Sequence, residues 1–113
     1  MTALTNTPTW QKLASLADDV KQQHMRDWFA NDSDRASKYQ QTACGIELDF
    51  SKNLVTDDVM KALFSLADES QVAQKRDAMF KGDIINHTEN RAVLHTALRN
   101  FSGQPVYVDG QDV

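Results

Sequence analysis

The sequence predicts an α+β fold, mainly helical, with a short strand near 45–51 and the start of a β-hairpin near 106–113. Three observations carry that prediction. Apolar residues recur at spacings of three and four over most of the chain, the period of an amphipathic helix. The period changes to strict alternation over Ile46, Leu48 and Phe50 against Glu47, Asp49 and Ser51, the pattern of a strand with one buried face. Finally, Asp109-Gly110 sits between Val106-Tyr107-Val108 and Gln111-Asp112-Val113, a strong hairpin-turn signal. With 113 residues and no repeats, low-complexity tracts or linker-like stretches, the chain reads as one unit without an internal boundary.

The elements follow in order. Thr7-Pro8 opens the first helix, a hydroxyl cap followed by proline at the first helical position. Trp10, Leu13, Ala17 and Val20 share one stripe, and the helix is expected to end around Gln22–His24. Arg26–Ala30 reads as a short helical turn whose Trp28 and Phe29 seek a core. Asn31-Asp32-Ser33 breaks it and caps a second short helix from Asp34 to about Gln41. After the 45–51 strand, Thr56 is a good N-cap, with Asp57 and Asp58 in the first turn where the helix dipole favours anions. Val59, Leu63, Leu66 and Ala67 form the buried stripe of that helix. Ser70 is placed to cap the next helix, which Lys81 and Gly82 end: a cation at the negative pole, then an achiral residue beyond it.

Within Gly82–Asn100, a short irregular segment follows Gly82 and a further helix is expected to begin near Asn86–Thr88. Asn86 and Glu89 have capping-box spacing, and Thr88 is an alternative start. Leu94, Ala97, Leu98 and Phe101 would form its apolar stripe, while Arg91, His95 and Arg99, four apart, would form a basic one. Asn100–Gln104 follows as a loop. The chain then stops inside what reads as the second strand of the hairpin, which points to a missing remainder.

Composition narrows the classes. A net charge of −4 and a pI near 5.2, with Lys and Arg scattered, argue against nucleic acid or anionic lipid as main partners. Cys44 is the only cysteine, which rules out an internal disulfide and suits a reducing compartment. No apolar run reaches bilayer length, and Met1–Asn6 lacks the features of a signal peptide, so a cytoplasmic location is expected. His24, His87 and His95 lack the close spacing of a zinc site, and no metal is expected. Cys44 reads as a small buried hydrophobe or an inert thiol. Asp18-Asp19 and Asp57-Asp58 diverge on their helices, so dipole and solvation roles suit them better than paired catalysis. Arg91, His95 and Arg99 have the chemistry to hold a sugar phosphate, but ion pairs with neighbouring segments are the favoured reading. Trp10, Trp28 and Phe29 read as packing residues.

The same stretch carries a resemblance. Ile85-Asn86, Thr88-Glu89, Arg91-Ala92-Val93-Leu94-His95 and Ala97-Leu98-Arg99-Asn100 resemble a block near the N-terminus of glucose-6-phosphate isomerases. Asp49-Phe50-Ser51-Lys52-Asn53, Met79-Phe80 and Pro105 through Gly110 extend it on both sides. Asp83 and Ile84 depart from the residues usual there. The resemblance implies that residues 1–113 are the N-terminal segment of a larger, homodimeric α/β enzyme with two sugar-isomerase-type domains, parallel sheets flanked by helices. It implies the reversible conversion of glucose 6-phosphate to fructose 6-phosphate through a cis-enediol, in glycolysis and gluconeogenesis, with no cofactor. The family's phosphate-binding loop, base glutamate, ring-opening histidine and C-terminal lysine would all lie beyond the position of Val113. No catalytic, substrate-binding or metal residue is therefore expected here, and the stretch alone is expected to be inactive. A free-standing, non-catalytic binding or assembly module is the alternative.

Overall fold

The computed structural model describes residues 3–113. It is α+β: five α-helices and three separate pairs of short antiparallel strands are seen among the described residues. The chain divides into two compact units, one ending at Leu66 and the other running Ala67–Val113.

In the first unit, α1 (Pro8–Lys21) starts as its residues predict. The Thr7 hydroxyl accepts from the Trp10 amide at 3.3 Å, and Pro8 occupies the first turn, where a missing N–H costs nothing. Helix α2 (Met25–Asn31) is capped by His24, whose Nδ1 accepts from the Arg26 amide at 3.1 Å. Helix α3 is shorter than expected, Arg35–Lys38, because Gln40–Ala43 leaves it as a strand, β1. Strand β1 pairs with β2 (Ile46–Asp49), with Ala43 opposite Ile46 and Gln40 opposite Asp49. Cys44 and Gly45 close this hairpin with φ of 53° and 75°, the two left-handed residues of a tight turn that matches strand twist.

The expected one-sided burial of the 45–51 strand is not found. Ile46 is 70% and Leu48 58% exposed, because a two-stranded ribbon has no third layer to cover either face. Phe50, just past β2, is half-buried with its ring 5.6 Å from Tyr39. Helix α4 (Asp57–Glu69) begins at Thr56, whose hydroxyl accepts from the Val59 amide at 3.3 Å. Its most buried side chains are Val59 and Ala62, whereas Leu63 and Phe64 are exposed. Of the expected stripe, Val59 is buried, Leu66 and Ala67 are half-buried, and Leu63 alone is exposed.

In the second unit, α5 (Val72–Lys81) is entered through Gln71 at φ 56° without a side-chain cap, so Ser70 does not cap it. Its end is as expected. Gly82 is left-handed at φ 80°, and the Asp83 amide donates back to the Ala78 carbonyl at 3.0 Å, satisfying a helix-end acceptor. The helix predicted to begin near Asn86–Thr88 is not found; Gly82–Asn100 forms β3 (Ile84–Asn86), a turn, β4 (Arg91–Ala92) and one 3-10 turn, Ala97–Arg99. The capping residues act, but on a reversal. Asn86 Oδ1 accepts from the Thr88 hydroxyl at 2.8 Å and the Glu89 amide at 3.3 Å, and Asn90 then turns left-handed at φ 51°. A left-handed residue cannot continue a right-handed helix, and the chain folds back to pair Ile84 with Ala92. The predicted apolar stripe is lost, with Leu98 82% and Phe101 94% exposed.

The terminal hairpin forms as predicted, β5 (Tyr107–Val108) against β6 (Gln111–Asp112), turning through Asp109 and Gly110 at φ 50° and 79°. Its backbone reaches Gly82. A Cβ there would lie 2.6 Å from the Tyr107 carbonyl oxygen and 3.3 Å from Val108 Cγ2. Gly110, equally left-handed, has open space around it. Gly82→Ala should therefore destabilise the second unit by about 2 kcal/mol or more, against about 1 kcal/mol for Gly110→Ala. Amide hydrogen exchange at Gly82 and Asp83 would report the difference; equal effects would refute the close approach.

Candidate functional site

The basic row singled out by the sequence does not form. Arg91 lies on β4, His95 in the connection after it, and Arg99 in the 3-10 turn, where its Nη1 donates to the His95 carbonyl at 3.1 Å. Arg91 and His95 share a shallow hollow of about 500 Å³ in the second unit, but Arg99 does not line it. Glu89 and Asn86 stand on the same hollow, and the Asn86 amide donates to the Glu89 carboxylate at 3.2 Å. A carboxylate lining the same hollow as the arginine works against an anionic ligand there.

The densest polar constellation lies in the first unit, around a residue that sequence reasoning passed over. Arg35 is 3% exposed. Its Nε donates to the Ser51 carbonyl at 3.0 Å, and its Nη2 donates to the carbonyls of Asn53 at 3.1 Å and Val55 at 3.0 Å. The guanidinium carbon lies 4.8 Å from the Trp28 ring centre, 5.4 Å from Phe29 and 4.7 Å from Tyr39. Three aromatic faces thus surround a cation whose N–H groups fasten the loop leading into α4. The signal available beforehand was Arg35 and Tyr39 at helical spacing behind two aromatics, Trp28 and Phe29, that read as packing residues.

Beside it, Asp57 binds two donors at once. The Lys38 ammonium donates at 2.7 Å to one carboxylate oxygen, and the Tyr39 hydroxyl donates at 2.8 Å to the other. These bonds, Lys38 first, hold the Asp57 carboxyl below its usual range, and the hydrogen bond with Asp57 raises Lys38. Burial, followed by the same hydrogen bond, raises Tyr39. Asp49 is lowered by hydrogen bonds from Ser51 and then Gln40. A hollow of about 230 Å³ opens over Arg35, Lys38, Asp57 and Asp32. Each of these charged groups already has a partner, Asp32 through Lys38 at 3.6 Å, so the cluster is a fastening rather than a reaction centre.

Other candidates are settled by position. Cys44 is exposed at the tip of the first hairpin and is not a buried hydrophobe, since the turn's left-handed backbone holds it away from both helical and strand packing. Trp28 is half-buried, and its indole N–H donates to Gln23 Oε1 at 2.7 Å. Trp10 lines an apolar groove of about 420 Å³ between α1 and α4. Among the described residues, no helix is long and apolar enough to cross a membrane.

The strand, turn and loop positions around Asp49–Asn53 and Gly82–Gly110 are those that carry the sequence resemblance, and comparison with known proteins agrees. A family model described as phosphoglucose isomerase matches residues 49–113, more than half of the chain, and the chain belongs to that family. Among curated relatives, the glucose-6-phosphate isomerase of Pseudoalteromonas atlantica is 89% identical over all 113 residues. Those of Alteromonas mediterranea and Shewanella amazonensis are 58% and 53% identical over the same length. The chain covers 21%, 21% and 20% of these three proteins, so it spans about a fifth of the relatives it matches.

Two outcomes follow for the fastening. Arg35→Met, which leaves three loop carbonyls without their donor, should destabilise the first unit by about 3 kcal/mol in chemical unfolding. Arg35→Lys should recover only part, because an ammonium lacks the planar fork. For Asp57, the folded carboxyl titrates below its ordinary value of 3.8, so its contribution is present above that value and is lost as pH falls through the lowered one. The unfolding midpoint should therefore drop as pH is lowered below about 4. Asp57→Asn should flatten part of that dependence, with Asp49 carrying a further share. An unchanged profile in Asp57→Asn would refute the assignment.

Proposed function

We propose that this chain is the N-terminal segment of a glucose-6-phosphate isomerase. The full-length enzyme reversibly converts glucose 6-phosphate to fructose 6-phosphate, an aldose–ketose isomerisation through a cis-enediol, in glycolysis and gluconeogenesis. The single observation that carries this reading is the 89% identity to the Pseudoalteromonas atlantica enzyme across every residue of the chain. The full-length protein is read as a cytoplasmic homodimer with two sugar-isomerase-type domains and a sugar-phosphate substrate, working without metal, nucleotide, nucleic acid or membrane.

Within it, residues 1–113 serve as scaffold and contribute no catalytic group. This part of the reading is supported by the chemistry of the charged residues. The Arg35 guanidinium is held by the Ser51, Asn53 and Val55 carbonyls, Lys38 and Asp57 are paired with each other, and Arg91 shares its hollow with Glu89. General acid–base transfer between adjacent sugar carbons needs a carboxylate free to take a proton and a cation free to steady the developing oxyanion.

Isomerase turnover by the purified 113-residue chain and by the full-length protein tests the proposal. The long protein should turn over glucose 6-phosphate and the chain alone should not; turnover by the chain alone would overturn the scaffold role. The intact mass of the native product provides a second check, expected several times above the chain's 12.7 kDa. A native product near that mass would favour a free-standing binding or assembly module instead.

A further inference from the structure

The terminal hairpin of the second unit turns on Asp109-Gly110, the only Asp-Gly pair in the sequence. Both residues are exposed, with φ of 50° and 79°. Apart from its chain neighbours, no atom lies within 4 Å of the place a Cβ on Gly110 would take. Among the described residues, the Gly110 amide donates no hydrogen bond and the Asp109 carboxylate accepts none. A carboxyl group and the unhindered amide that follows it, both unengaged, are the two partners of a five-membered ring closure. We propose that Asp109 is a site of spontaneous isoaspartate formation, a slow covalent change that releases the hairpin from the end of α5.

The step balances with water alone. The Gly110 nitrogen attacks Cγ of the neutral Asp109 carboxyl, a C–N bond forms, and the carboxyl hydroxyl leaves as water with the amide proton. Solvent water then opens the resulting succinimide. Addition at Cγ restores aspartate, whereas addition at the Asp109 main-chain carbonyl carbon leaves the chain running through the side chain. Glycine favours the attack, since it lacks a Cβ to crowd the nitrogen or restrict the backbone. The two strands are two residues each, so the local opening that ring closure needs costs little.

Other aspartates lack this freedom. Asp32 Oδ1 accepts from the Asp34 amide at 3.0 Å, and Asp49 Oδ1 from the Ser51 amide at 2.8 Å. Asp112 Oδ1 accepts from the Val106 amide at 3.2 Å. Asp83 and Asp112 also precede β-branched residues, Ile84 and Val113, which hinder approach of the following nitrogen. The consequence of the change lies in register. An isoaspartyl link adds a carbon to the main chain of a tight turn, which then no longer sets Val108 opposite Gln111 and Tyr107 opposite Asp112. Those strands bring the Tyr107 carbonyl against Gly82, so the helix end loses its cover.

Prolonged incubation of the folded full-length protein at mildly acidic to neutral pH tests this. Isoaspartate is read by methyl transfer from labelled S-adenosylmethionine with an isoaspartyl methyltransferase, and located by peptide fragmentation in the mass spectrometer. Residue 109 should convert several-fold faster than any other aspartate, through an intermediate lighter by one water. Asp109→Glu, which keeps the charge but cannot close the five-membered ring, should abolish the signal there. Asp109→Asn, which closes the same ring by losing ammonia, should convert several-fold faster than the parent. In the converted fraction, hydrogen-exchange protection at Gly82 and Asp83 should fall several-fold. An aspartate elsewhere converting first, or an Asp109→Asn variant that converts no faster than the parent, would overturn the site. Conversion with unchanged protection at Gly82 would overturn the release of the hairpin. The readout is the covalent state of residue 109, so each of these results is distinguishable from loss of isomerase turnover.

Discussion

The first unit depends on one buried cation. Arg35 comes from the start of a four-residue helix that could not persist by itself, since its few backbone bonds do not offset the cost of nucleation. What holds it is the guanidinium, which faces the rings of Trp28, Phe29 and Tyr39 and donates to the Ser51, Asn53 and Val55 carbonyls. A lone buried charge is costly, but this one exchanges water for three carbonyl dipoles and aromatic faces. The loop it fastens delivers Thr56 to the start of α4, so the position of that helix follows from the same contact. Asp57, at the first turn, then returns the favour through Tyr39 and Lys38.

Features with a local cause were legible in the sequence. Thr7-Pro8, Thr56, Lys81-Gly82 and Asp109-Gly110 each act within a few residues, through a cap or a left-handed turn, and each stands where its chemistry requires. Elements that depend on distant partners were not. Strand β1 exists because Gln40–Ala43 meets Ile46–Asp49 across a turn of Cys44 and Gly45, a pairing with no apolar alternation of its own. Asn86 shows how one local signal serves two outcomes. Its amide oxygen accepts the amide of Glu89 in the way a helix cap does, and Asn90 then decides for reversal by turning left-handed.

The candidate site was legible in a different sense. The residue runs from Asp49 and through Gly82–Asn100 were enough to name the family, although the helix drawn through the second run was wrong. Family resemblance depends on residue identity and order, not on the secondary structure assigned to them. Arg35 escaped because burial of a charge cannot be read from its neighbours in sequence; its partners Ser51, Asn53 and Val55 lie far along the chain and contribute only backbone. Side-chain patterning carries no record of carbonyl acceptors.

The close approach of Tyr107 to Gly82 bears on the order in which the second unit assembles. Helix α5 and its left-handed end involve only near neighbours and can form on the microsecond timescale of helix growth. The hairpin that covers Gly82 arrives only after the intervening chain, including Ile84–Ala92 and the loop at Asn100, has been gathered in, and that closure carries an entropic cost. The helix terminus is therefore an early landmark and the hairpin a late one. During synthesis, the ribosome would release a finished α5 well before the strand that seals its end, leaving Gly82 uncovered in the interval.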